Sequence, residues 1–165
     1  MSLPDLAAVL WRQRELLERL VYRLECEQLL LAAGRTRFLA LATSEVESLL
    51  GELRVVELQR AGCSDRLSRE LGLGDDASLE ELAGSVQPPW TEVLVEHRHA
   101  LLTLTGELSA LAETNRHLMA AGMQAVESAL AGLGLREGTA SVGYDAQGRR
   151  DLISGGDRTV VDRSL

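Results

Sequence analysis

Glu96, His97, Arg98 and His99 stand together in a chain that holds only three histidines. Glu96 and His99 have the spacing of a Glu-x-x-His metal motif, and on a helix Glu92 lies one turn earlier on the same face. Di-metal carboxylate bundles need two such motifs and two further inward glutamates. Here the second motif is missing, because Glu113 and His117 are one residue too far apart, so the group reads as a solvated polar face. Nucleophilic catalysis finds no better footing, since no Gly-x-Ser-x-Gly elbow occurs. Gly72-Leu73-Gly74 and Gly132-Leu133-Gly134 read as helix ends, for neither continues into a glycine-rich phosphate fingerprint. The residue types point away from an enzyme, with no catalytic residues, no metal and no cofactor.

The elements that would carry these residues are helical throughout. Leu101, Leu104, Leu108, Leu111 and Leu118 alternate by threes and fours, with Asn115 completing the series and His97 preceding it between Leu94 and Leu101. This is the seam of a helix running from Pro88 to about Gly134. At about 1.5 Å per residue such a helix is roughly 65 to 70 Å long, too long to hide alone, so it needs partner helices. Polar residues at seam positions such as His97 and Asn115 set register at some cost in stability.

Leu3, Leu10, Leu17, Leu24 and Leu31 recur every seven residues from a start at Ser2-Leu3-Pro4-Asp5, with Leu6 and Leu20 between them. Gln13 and Glu27 interrupt this first seam. Gly34 suits the left-handed end of a helix, and Thr36 is placed to cap the next. Leu39, Ala42, Val46, Leu49, Leu53, Val56, Arg60, Cys63 and Leu67 then keep the three-four alternation to Leu71. Ser78-Leu79-Glu80-Glu81 is a capping box with Ala77 and Leu82 as its hydrophobic staple, opening a short helix that Pro88-Pro89 ends. Expected helices are thus about 4–33, 36–71, 79–86 and 88–133. They make an all-α, elongated antiparallel helical bundle or coiled coil of three long helices and one short one, over residues 1–134. Residues 135–165, rich in Gly, Ser, Thr, Arg and Asp, read as a disordered, flexible C-terminal tail.

Composition agrees. Aromatic residues are only 3% while hydrophobic residues are 45%, which fits layers of Leu, Val and Ala better than a rounded core. A formal net charge of -8 argues against nucleic acid, whose phosphates need a basic face. All 17 basic residues are arginine. No apolar run is long enough for a membrane span and no basic segment precedes an apolar core near Met1, which makes the cytoplasm the expected location. With the first two helices folded back near Gly34, residue 26 lies opposite about residue 43. Cys26 and Cys63 are then too far apart to bridge and are expected as reduced thiols.

Beyond Asn115 the long helix changes character. Leu118, Met119, Met123, Val126, Leu130 and Leu133 are interleaved with alanines, an adaptable surface of the kind that repacks around partners. This end either packs against the start of the first helix or forms a groove for a partner's amphipathic helix.

Leu29-Leu30-Leu31-Ala32-Ala33-Gly34, Ser44-Glu45-Val46-Glu47-Ser48-Leu49-Leu50, Leu71-Gly72-Leu73, Asn115-Arg116-His117-Leu118 and Tyr144-Asp145-Ala146-Gln147-Gly148, in that order, resemble the FlgN-type flagellar export chaperones. The resemblance covers roughly residues 5 to 150. It implies a small cytoplasmic chaperone without catalytic activity that binds the hook-filament junction proteins, guards their terminal helices and delivers them to the gate of the flagellar type III export apparatus. Carried onto this chain, the cargo surface comprises Asn115, Leu118, Met119, Met123, Val126, Leu130 and Leu133, and Tyr144 is a candidate for gate or cargo contact. The alternative is a coiled-coil scaffold whose seams pair two copies into a homodimer without cargo.

Overall fold

The computed structural model describes residues 2–74 and 77–133. They form α1 (Ser2–Ala32), a single 3-10 turn (Thr36–Phe38), α2 (Leu39–Leu71), α3 (Leu79–Ser85) and α4 (Trp90–Gly132). Among the described residues there is no strand. The all-α expectation holds, with three long helices and one short one. The expected tail, Tyr144 included, lies outside the described residues.

The chain divides into two compact units, Met1–Ala125 and Val126–Leu165. In the first, α1 and α2 run antiparallel. Ser2 bonds to Glu70 and Gln13 to Glu57 near one end, and the Thr43 hydroxyl donates to Glu27 at 2.9 Å near the other. That last contact matches the fold-back expected near Gly34, and both cysteines are free. α4 lies parallel to α1: Trp11 meets His97, Arg14 pairs with Glu96 at 3.3 Å, and further along both helices Asn115 bonds to Leu24 and Glu27.

Two apolar clusters fill the first unit. One joins Leu6 and Leu10 of α1, Cys63 and Leu67 of α2, Leu82 and Ala83 of α3, Val86, and Leu94 of α4. The second joins Leu16, Leu20 and Leu24 to Leu49 and Val56, with Leu108 and Leu111 packed against it. Each buried leucine contributes about 1.5 to 3 kcal/mol relative to exposure, so α1 and α2, which supply most of them, form the frame.

Both glycine stops behave as their type requires. Gly34 (φ 64°) and Gly72 (φ 70°) are left-handed, and the amides that follow them, Arg35 and Leu73, reach back to the Leu30 and Ser68 carbonyls at 2.8 and 2.9 Å. This is the hydrogen-bond pattern that closes a helix on an αL residue. α2 departs from expectation at its start. Thr36 opens the 3-10 turn and makes no cap, and α2 begins only at Leu39, with no side-chain cap at Phe38. The Ser78 box is complete, its hydroxyl accepting from the Glu81 amide and the Glu81 carboxylate accepting from the Ser78 amide. The Ser78 amide foremost, and then the Ser78 hydroxyl donating to the same carboxylate at 2.8 Å, hold the Glu81 carboxyl below its ordinary pKa. α4 starts at Trp90 because the Pro89 carbonyl accepts its first turn from Val93 at 3.2 Å.

The interruptions of the α1 seam are not gaps. Gln13 and Glu27 are buried in it, and each is bonded across the bundle, to Glu57 on α2 and to Thr43 and Asn115 respectively. A polar residue can hold a seam position when its partners come from the facing helices.

Candidate partner-binding surface

Leu94 to Leu118 keep one three-four phase along α4, and Met119, Met123, Val126, Leu130 and Leu133 take up the spacing again one residue out of step. Among the described residues the buried side chains of α4 are Leu94, His97 and Asn115, while Leu101, Leu104, Leu108, Leu111, Leu118 and Met119 are half-buried. Met123, the last of these residues in the first unit, is 68% exposed. In the second unit Val126 is 59%, Leu130 42% and Leu133 72% exposed.

At 3.6 residues per turn, Leu118, Met119 and Met123 of the first unit span an arc of about 140°, and Val126, Leu130 and Leu133 of the second share one of about 60°. Gln124, Glu127 and Ser128 occupy the other side, and Glu127 is the one charged residue between Leu118 and Leu133. Isolated exposed leucines are ordinary, whereas large apolar side chains at seam spacing with hardly a charge between them mark a face that packs against something.

Asn115 does not belong to that face. It is only 3% exposed, and its amide donates to the Leu24 carbonyl and to Glu27, both at 3.0 Å. The partner surface drawn from sequence therefore loses its first member, whose amide group is engaged inside the bundle. Glu27 and Thr43, its partners, were missing from the sequence reading of this site. The signal was Glu27 itself, a carboxylate at a heptad position where leucine was due.

The histidine cluster disperses. Glu92 and His99 stand at the surface, Glu96 pairs with Arg14, and His117 meets Glu113 at 3.0 Å on the exposed side. No three His, Cys, Asp or Glu side chains gather as a metal site among the described residues. His97 is buried, its ring edge-on to Trp11 with centroids 5.0 Å apart. Burial first, and then the Arg14 guanidinium, hold its pKa below the ordinary 6.5, with Glu96 opposing. The neutral ring is the native form, so its contribution is fully present above pH 6.5. It is lost as pH falls through the lower native pKa, because the unfolded chain then binds the extra proton. Thermal melts at pH 7.5 and 5 are expected to show a smaller drop for His97→Phe than for the unaltered chain. Equal drops would clear His97 of this role.

A family model described as FlgN protein matches residues 1–151. The chain belongs to the FlgN family. No curated protein and no solved structure matches it. FlgN membership suggests a flagellar export chaperone, and the family is one of chaperones and not of enzymes. No described helix is long and apolar enough to cross a membrane.

Proposed function

We propose that this chain is a cytoplasmic holdase of flagellar assembly. It binds unassembled hook-filament junction (hook-associated) proteins, blocks their premature association and delivers them to the flagellar type III export gate. The observation that carries this reading is the exposure of Met123, Val126, Leu130 and Leu133, which recur at three-four spacing toward the end of α4. The FlgN match supports it. An amphipathic helix of the guest would seat its apolar side chains on these residues. Affinity comes from apolar burial, and the thioethers of Met119 and Met123 let the face adapt to guests of different shape. Asn115 supports the surface from within, and Tyr144 is retained as a contact for the guest or the gate.

Calorimetric titration of the full chain with a purified junction protein tests this. Saturable binding with a negative heat-capacity change, the mark of apolar burial, is the expected result. The absence of a complex with every hook-associated protein of the same flagellum would defeat the proposal. A stable dimer by light scattering, combined with that absence, would favour the scaffold reading.

A further inference from the structure

Past His97, Asn115 is the one fully buried residue of α4 among those described. Within the first unit, that helix past His97 packs on the frame through half-buried leucines and is tied to it by buried hydrogen bonds at this one level. There the Asn115 Nδ2 donates to the Leu24 carbonyl and to one oxygen of Glu27, both at 3.0 Å, and the other Glu27 oxygen accepts from the Thr43 hydroxyl at 2.9 Å. One carboxylate, 5% exposed, ties three helices together.

Leucine seams alone are permissive, because leucine packs on leucine at many rotations of the helix. Hydrogen bonds are not, since donor and acceptor must align. Half-buried leucines between His97 and Asn115 contribute less holding power than the fully buried ones of α1, so the polar level decides the pose. The Asn115 Oδ1 is itself buried without a partner. On opening, that oxygen would gain a hydrogen bond from water, which makes the fastening releasable as well as directional.

We propose that Glu27, Thr43 and Asn115 form a clip that holds residues 104–125 of α4 on α1 and α2, and so sets the direction in which Leu118, Met119 and Met123 face. Asn115 is thus a positioning residue. The clip is a property of the free chain, and only its service to a partner rests on the chaperone reading.

Hydrogen exchange read by mass spectrometry on the full chain tests it. In Asn115→Ala, amides of residues 104–118 are expected to exchange about tenfold faster or more, the effect of losing a buried bond to a charged group. Amides of residues 90–97, anchored by Leu94 and α3, are expected to stay within about twofold of the unaltered chain. Thr43→Val, the milder variant, shifts the same segment by less. Glu27→Gln keeps an oxygen to accept from the Asn115 amide and turns its N–H toward the Thr43 hydroxyl, which can accept it, so it retains most of the protection. Unchanged exchange in Asn115→Ala, or a uniform rise along the whole chain, would overturn the clip. A variant that opens α4 yet binds a junction protein as tightly as before would remove the service to the partner and leave the clip. Failure of the unaltered chain to bind any junction protein would count against the chaperone reading alone.

Discussion

Replacing Met123 and Val126 together by aspartate is expected to abolish co-purification with a hook-filament junction protein while leaving the helical circular dichroism unchanged. Both side chains are mostly exposed in the free chain, so the fold loses little packing when they change. The complex is different. A guest helix seated on this face would bury two carboxylates with no cationic residue between Leu118 and Leu133 to pair with them. Leaving such charges unpaired costs about 3 kcal/mol or more in total, at least a hundredfold in affinity. A matched control sits on the same helix. Val95 and Leu102 are 53% and 59% exposed but lie off the seam, so their aspartate variants should bind as the unaltered chain does. Normal recovery of the junction protein by the Met123/Val126 variant would remove this face from consideration.

Much of the fold was legible because its signals were local. The Ser78 box, the glycine stops at 34 and 72 and the three-four run of α2 depend on spacing within one element, and spacing is what a sequence displays. Thr36 misled for the opposite reason. Its type suits a cap, yet whether a hydroxyl reaches the helix amides depends on how the chain turns after Gly34, and a 3-10 turn intervenes there.

The candidate surface was harder, since exposure belongs to the neighbours of a residue. The three-four spacing lasts to Leu118 and resumes one residue later through Met119, Met123, Val126 and Leu130, so spacing by itself does not mark where cover ends. Within the first unit Glu27 faces Asn115, and α1 ends five residues later, at Ala32. The supply of facing side chains from α1 therefore runs out while the period of α4 continues. Asn115 illustrates the boundary. Its phase predicts burial, and grouping it with the apolar residues that follow placed it on the wrong side of the edge. The partnership of Glu27 with Thr43 and Asn115 required three helices to be brought to one level, which no single period contains.

The same edge separates leucines that hold the fold from leucines that do not, and Leu82→Ala set beside Leu130→Ala makes the contrast measurable. α3 has seven residues, too few to be helical alone, and it persists because Leu82 is fully buried among Leu6, Leu10, Cys63, Leu67 and Leu94. Truncating it leaves a cavity in a cluster shared by all four helices, at a cost of about 3 kcal/mol. For a chain of this size that is a fall in melting temperature of about 10 °C. Leu130 is 42% exposed, and alanine is the better helix former, so its truncation should change stability by no more than about 0.5 kcal/mol. Its effect belongs in binding, where losing a large apolar contact should weaken the junction-protein complex about tenfold. Were Leu130→Ala to melt as early as Leu82→Ala, the end of α4 would be core in solution, and a surface held open for a guest could not be its role.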